Sequence, residues 1–102
     1  MRGVELDKIY SADCRAMREV DDNSVQLIVT SPPYNVGKEY AQHRDAMELR
    51  EYLAFLKQVW QECTRVLCRG GRLAVNIANT GRKPYVPLSA YISQQLFDLG
   101  LL

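Results

Sequence analysis

The stretch Val25-Gln26-Leu27-Ile28-Val29-Thr30-Ser31-Pro32-Pro33 decides the fold class of this chain. Its first six residues are almost continuously apolar and rich in β-branched side chains. That pattern predicts a strand covered on both faces, as in a parallel sheet. The two prolines end the strand, because proline donates no ladder hydrogen bond and restricts the residue before it. A turn is predicted just before the strand, over residues 21–24, since the short polar side chains there bond their own backbone.

Helical and extended patterns alternate on either side of this strand, and most of them carry recognisable end signals. Before it, the sequence predicts a strand over residues 8–12 and a helix over 13–20 capped by Asp13. After it, a helix is predicted over 46–68, with a capping box of Asp45 and Glu48 at its start and Gly70 at its end. A strand over 72–78 and a helix from Pro87 to Gly100 complete the chain.

This order predicts an α/β fold, β-α-β-α-β-α, with a three-stranded parallel sheet in one domain spanning residues 1–102. Ligands of open parallel sheets gather at the carboxyl ends of the strands. The candidate site therefore lies where Ser31 leaves the second strand, with Asn76 and Asn79 at the end of the third.

Composition narrows the classes of protein to consider. The chain has 102 residues, 47% of them hydrophobic and 25% charged, with a net charge of +1. These values indicate a small globular domain whose net charge gives no strong electrostatic attraction to polyanions such as DNA. Its longest apolar run, Tyr52–Leu56, is too short for a membrane span. Three cysteines form no disulfide framework and no paired zinc knuckle, which predicts a cytoplasmic protein without a bound metal.

The segment Ser31-Pro32-Pro33-Tyr34-Asn35 has an unusual chemistry for a strand end. Two prolines make it stiff and extended, and it presents a hydroxyl, a carbonyl and an aromatic ring together. This combination suits a flat heterocycle that carries an exocyclic amine. The Ser31 hydroxyl and the Pro32 carbonyl are able to accept the two amine hydrogens, and the Tyr34 ring is able to stack on the heterocycle.

Residues 30–35 resemble the catalytic loop of DNA amino-methyltransferases, which methylate adenine N6 or cytosine N4. Residues 10–14 and 69–77 are similar to the sequences that flank this loop in the family members whose catalytic half comes first. The resemblance implies a partial Rossmann-like fold, S-adenosylmethionine as cofactor, a flipped-out DNA base and a place in restriction-modification. It implies catalytic roles for Ser31, Pro32, Pro33 and Tyr34 and cofactor binding by Asp13. Position at the same edge of the sheet makes four more residues candidates for base or DNA contacts: Asn35, Lys38, Asn76 and Asn79. For the two asparagines after the third strand, the alternative is that they simply end the strand.

The family also uses a glycine-rich cofactor loop, and none of the six glycines here forms a Gly-x-Gly pair. The target-recognition region of the family has no counterpart either. We therefore expect the N-terminal portion of a larger enzyme, as a truncated product, a fragment or one half of a split enzyme. On its own it is expected to be inactive and to bind S-adenosylmethionine weakly or not at all. The expected partners are DNA, through the complete enzyme, and a second copy or a complementary C-terminal chain.

Several alternatives stay open at this point. Serine at the first position of the loop is compatible with either cytosine N4 or adenine N6 as the target. Related enzymes methylate RNA bases or protein glutamine through a similar loop. A chain without the cofactor loop is also compatible with a different class of protein, a non-catalytic α/β interaction module.

Overall fold

The computed structural model describes residues 6–32, 39–40, 43–44, 48–79 and 86–101. Among them it contains four strands and two helices. These are β1 (Val25–Thr30), β2 (Glu39–Tyr40), β3 (His43–Arg44), α1 (Leu49–Val66), β4 (Leu67–Val75) and α2 (Leu88–Asp98).

The sheet that organises the fold is parallel, which confirms the α/β prediction. β1 pairs with β4, and β2 and β3 form a separate antiparallel pair. The predicted three-stranded sheet is wrong for the described residues, because residues 8–12 form no strand and the parallel sheet has two strands. Ile9 in that segment is 96% exposed. An extended segment becomes a strand only beside a partner that takes up its backbone hydrogen bonds, and periodicity alone does not reveal that partner.

The connection from residue 13 to β1 is a series of turns rather than the predicted helix over 13–20. The carbonyls of Asp13 and Met17 accept hydrogen bonds from Ala16 and Val20, each three residues further on. Asn23, with φ at 53°, then turns the chain into β1, as the polar cluster over 21–24 predicts. A short helix needs packing to persist, and residues 11–16 are exposed here.

The core lies between the two helices and one face of the sheet. Tyr52, Leu56 and Trp60 of α1 and Leu88 of α2 are completely buried. The Trp60 indole donates to the Gln95 amide oxygen at 3.0 Å, and the Gln95 amide nitrogen donates to the carbonyl of Leu53 at 2.8 Å. This chain of hydrogen bonds ties α1 to α2 inside the core, with every polar group in it paired.

The other face of the parallel sheet is open, so the prediction of a strand covered on both faces is wrong here. Ile28 packs against the core, whereas Leu27 is 59% exposed and Val29 is 70% exposed. Successive strand residues point to opposite faces, which explains this alternation. We call the surface formed by Leu27, Val29 and Ala74 the open face of the sheet.

The two adjacent glycines act inside β4 and not, as the sequence suggests, at the end of a helix. α1 ends at Val66, and β4 begins at the next residue. Between the pairs Val25–Leu67 and Leu27–Arg72 the strand register shifts, so β4 bulges there. Gly70 has a φ of 81°, and a Cβ atom on Gly71 would lie 2.9 Å from the Cys68 carbonyl oxygen. Both positions therefore favour glycine because of the bulge.

The helix ends agree with the sequence in part. α1 begins at Leu49, with Glu48 as its N-cap and no side-chain cap, so Glu48 is not the third residue of a capping box. Asp45 lies outside the described residues. α2 follows Pro87 and ends before Gly100, whose φ of 81° is typical of a helix C-terminus, as predicted. Neither described helix is long and apolar enough to cross a membrane.

Candidate functional site at the carboxyl edge of the sheet

The parallel strands bring three of the predicted site residues to one edge of the sheet: Ser31, Pro32 and Asn76. Thr30 and Val75, the last residues of β1 and β4, are register partners, and the Asn76 amide donates to the Thr30 carbonyl at 2.8 Å. Ser31 follows β1 directly with an exposed side chain, and Pro32 is buried. Pro33, Tyr34, Asn35 and Lys38 lie outside the described residues.

The two asparagines after β4 have different surroundings. The Asn79 carboxamide accepts from the Ser89 backbone amide at 2.8 Å and donates to the Ser89 hydroxyl at 2.9 Å. It satisfies an amide in the first turn of α2, a group that has no partner within the helix. The Asn76 side chain is exposed, and it has no hydrogen bond within the part of the chain that the structure describes. Asn79 thus holds α2 to the segment that follows β4, whereas the Asn76 side chain is exposed and unbonded among the residues described.

Asp13, the predicted cofactor residue, is held by a neighbouring cation. Arg15 donates to both carboxylate oxygens, with Nη2 2.6 Å from Oδ2. The Arg15 guanidinium also lies 5.2 Å from the centre of the Phe55 ring and bonds Gln58. Hydrogen bonds from the Arg15 side chain, and then from its backbone amide, lower the pKa of Asp13 to about 2. Asp13 therefore stays ionised at neutral pH, on an exposed part of the surface.

An apolar cleft of about 360 Å³ lies between residues 14–20, β1 and α1. Cys14 and Met17 line one side, Val29 and Thr30 line another, and Cys63 lies on α1. Burial raises the pKa of the Cys63 thiol to about 11, so this cysteine remains a neutral core group. The cleft connects the segment that carries Asp13 with the residue that precedes Ser31.

Sequence reasoning missed the ion-pair cluster that fixes residues 13–24 against α1. The Arg65 guanidinium donates to Glu62 at 2.8 Å, to Asp22 and to the Met17 carbonyl. Glu62 in turn accepts from the Met17 backbone amide. These groups are 43 to 48 residues apart in two of the contacts, so only the tertiary structure brings them together.

Acid is expected to weaken this cluster through Glu62. Hydrogen bonds from Arg65 hold the pKa of Glu62 below its ordinary value of 4.5. A lowered pKa in the folded state stabilises the fold above about pH 4.5, and this contribution is lost as the pH falls further. Glu62→Gln is expected to lower the free energy of unfolding at pH 7 by about 1–3 kcal/mol, because its charged hydrogen bonds are lost.

Urea unfolding between pH 3 and pH 7 measures this effect. The stability of the Glu62→Gln protein should change less over that range than that of the parent protein. Glu51→Gln, in the exposed first turn of α1, is the matched control and should behave like the parent. Equal pH slopes for the Glu62→Gln and parent proteins would contradict the assigned role of Glu62.

No group of three or more His, Cys, Asp or Glu side chains is arranged to hold a metal ion among the described residues. Asp13 is paired with Arg15. Among the described residues, the groups at the carboxyl edge include the Ser31 hydroxyl, the rigid backbone at Pro32 and the Asn76 carboxamide.

Comparison with known proteins assigns the chain to a family. Residues 25–99 match the family model described as DNA methylase, N6_N4_Mtase. Type II methyltransferase M.MjaVI of Methanocaldococcus jannaschii is 40% identical over 83 residues, which are 80% of this chain and 43% of that protein. Type II methyltransferase M.HpaI of Haemophilus parainfluenzae is 37% identical over 67 residues, which are 66% of this chain and 21% of that protein.

A solved structure agrees with these matches. The crystal structure of TTHA0409 from Thermus thermophilus, assigned as a DNA modification methylase, superposes with a TM-score of 0.69 at 31% identity. The match covers 87% of this chain and 38% of TTHA0409. The chain spans less than half the length of these three relatives. Because the family model covers most of the chain, from β1 through α2, the protein belongs to the N6/N4 DNA methylase family.

Proposed function

We propose that this chain supplies the catalytic loop of a DNA methyltransferase that transfers a methyl group to an exocyclic base amine, cytosine N4 or adenine N6. The position of Ser31 and Pro32 at the carboxyl end of a parallel strand is the observation that supports this proposal most directly. A flipped-out base would place its amine against them. Domain 1–102, in this proposal, is the catalytic-loop part of a Rossmann-like methyltransferase domain.

The residues of the loop would act by position and electrostatics. A base amine is a weak nucleophile because its lone pair is delocalised into the ring. The Ser31 hydroxyl and the Pro32 carbonyl would accept the two amine hydrogens and so favour a pyramidal nitrogen with a localised lone pair. Pro33 would keep the backbone rigid, and Tyr34 would hold the base by stacking. Asn35 and Lys38 are proposed contacts to the base or the DNA on the same loop.

The proposed cofactor is S-adenosylmethionine, which supplies an electrophilic methyl group on a sulfonium sulfur. Asp13 is the proposed acceptor for a cofactor hydroxyl, because its carboxylate is ionised and about half exposed. Each of its oxygens accepts two hydrogen bonds from Arg15, so a bound hydroxyl would replace one of these contacts. The apolar cleft beside Cys14 and Thr30 would take an apolar or aromatic part of a ligand. These residues form one side of a site, and the glycine-rich loop of the family is absent from this chain.

Calorimetry with S-adenosylmethionine tests whether this chain needs the rest of the enzyme to bind the cofactor. We expect little or no heat of binding with this chain alone. Binding should appear in a hybrid in which the chain replaces the part of M.MjaVI that it matches. In that hybrid, Asp13→Asn should weaken binding by about 10- to 150-fold, since one charged hydrogen bond is worth about 1.5–3 kcal/mol. Binding that is unaffected by Asp13→Asn would remove the cofactor role of Asp13.

We further propose that a complementary polypeptide carrying the rest of the domain covers the open face and the apolar cleft. Parallel sheets are normally covered on both faces, and Leu27 and Val29 are mostly exposed. DNA would be bound by the complete assembly in the cytoplasm, with residues of this chain contacting the target base. The three free cysteines are compatible with that reducing compartment.

Without the complementary part, the open face should drive self-association. We expect the isolated chain to sediment as a dimer or a larger species at micromolar concentration, because an exposed apolar strand face is a docking surface. Val29→Asp should shift the chain towards the monomer. Phe97→Asp, at a 61% exposed residue of α2, is the control and should leave the distribution unchanged. Analytical ultracentrifugation that finds only monomer in all three proteins would overturn this expectation.

A further inference from the structure

Ser31 has a polar neighbour on the adjacent strand. Thr30 and Val75 are register partners, and the Asn76 amide donates to the Thr30 carbonyl, so Ser31 and Asn76 occupy equivalent positions one residue further along. Adjacent strands lie about 5 Å apart, which places these two backbones within reach of a single small ligand.

The side chains of Ser31 and Asn76 lie on the same face. Val75 and Ile77 pack against the core, and Asn76 between them is exposed. In β1 the register shift between Val25 and Leu27 leaves Gln26 and Leu27 both exposed. From Leu27 onward exposure alternates through Val29 to Ser31. A hydroxyl and a carboxamide therefore stand side by side at the carboxyl end of the open face.

The Asn76 side chain makes no hydrogen bond within the described residues. The Asn79 carboxamide, in contrast, bonds Ser89 through both its oxygen and its nitrogen. The backbone of Asn76 is nevertheless fixed by its bond to Thr30. A fixed backbone with a free carboxamide suits recognition, because a ligand that bonds the side chain displaces no internal partner.

We propose that Asn76 recognises the target base, its side-chain amide donating to the ring nitrogen beside the methylated amine. The Watson–Crick edges of adenine and cytosine each place an amine next to a ring nitrogen that accepts a hydrogen bond. Guanine and thymine place a ring N–H beside a carbonyl oxygen there. Ser31, which accepts from the amine, and Asn76, which donates to the ring nitrogen, together match the first pair of bases and not the second.

This inference rests on the proposed function, and it makes Asn76 a specificity-determining residue within it. Aspartate at position 76 keeps the shape of the side chain but lacks the amide hydrogens. Asn76→Asp should therefore lose the interaction with the ring nitrogen of adenine or cytosine. The carboxylate should instead accept from the ring N–H of thymine.

Nuclear magnetic resonance of the isotope-labelled M.MjaVI hybrid tests the assignment, with 2′-deoxycytidine, 2′-deoxyadenosine and thymidine as probes. We expect the Asn76 side-chain amide signal to move with deoxycytidine or deoxyadenosine and to stay in place with thymidine. Asn76→Ala should weaken the preferred nucleoside about tenfold, the usual effect of one hydrogen bond. Asn76→Asp should reverse the preference towards thymidine. Gln94→Ala, which removes an exposed amide on α2, is the control and should bind as the parent hybrid does.

The variants distinguish a failure of the role of Asn76 from a failure of the proposed methyltransferase function. Binding that is lost in Ser31→Ala but unchanged in both Asn76 variants would overturn the role of Asn76 and leave the proposed function standing. Binding of thymidine as strong as that of the amine-bearing nucleosides would overturn the discrimination. If the parent hybrid binds none of the three, the base-amine site itself is overturned, and the role of Asn76 with it.

Discussion

Replacing Ser31 with alanine is expected to lower the rate of methyl transfer to DNA by about 100-fold or more, the usual effect of removing one preorganised polar contact to the reacting group. Ser31 is exposed at the end of β1, so the hydroxyl contributes little to folding. The loss should therefore appear in the rate of transfer and not in the melting temperature.

The measurement is incorporation of a labelled methyl group by the M.MjaVI hybrid that contains this chain. Ser31→Asn keeps an acceptor oxygen at the loop position and should recover part of the activity. Ser93→Ala, at an exposed residue of α2, is the matched control and should be fully active. Full activity of Ser31→Ala would show that the amine is not held at this position.

Replacing Trp60 with alanine is expected to be the most destabilising single change in the core. Trp60 is completely buried, and truncation of such a side chain costs about 3–5 kcal/mol. It also leaves the Gln95 amide oxygen without its donor in a part-buried site between the helices. Because small domains are stable by only about 5–15 kcal/mol in total, this variant should be largely unfolded or close to it.

Circular dichroism during urea unfolding measures the effect, with Trp60→Phe as the comparison. Phenylalanine keeps most of the apolar volume and removes the indole donor, so its smaller cost reports mainly on the bond to Gln95. A small change in Trp60→Ala, comparable to that in an exposed position such as Tyr91→Ala, would contradict the described core.

The elements that could be predicted from the sequence are those whose signals are local. The apolar run over residues 25–30, the amphipathic pattern of α1 and the Pro87 and Gly100 boundaries of α2 all depend on nearby residues, and the structure agrees with them. The position of Ser31 at a strand end follows equally from local rules, because a proline must stop the ladder.

The elements that could not be predicted depend on distant partners. Residues 8–12 have the composition of a strand, but no strand lies beside them among the described residues to take up their hydrogen bonds. Gly70 and Gly71 resemble a helix cap in sequence, and the pairing with β1 makes them a bulge instead. The cluster around Arg65 joins residues 43 to 48 positions apart, so no pattern of spacing reveals it. Asn79 and Ser89 are ten residues apart, at a spacing that matches no helix or strand repeat.

An exposed apolar surface borders the proposed site. The open face runs from Leu27 and Val29 to Ser31, and the relatives are more than twice as long as the region matched here. In our proposal, the complementary part of the enzyme covers this face and encloses the edge where Ser31 and Asn76 lie. Enclosure would exclude water from the amine and strengthen its contacts with the loop.

The most direct test of the central claim is the identity of the methylated nucleoside. DNA from cells that produce the M.MjaVI hybrid carrying this chain is digested to nucleosides and analysed by mass spectrometry. We expect N4-methylcytosine or N6-methyladenine with the parent chain, and a strongly reduced amount of it with Ser31→Ala. Absence of both nucleosides, or a methyl group on a ring carbon in their place, would contradict that claim.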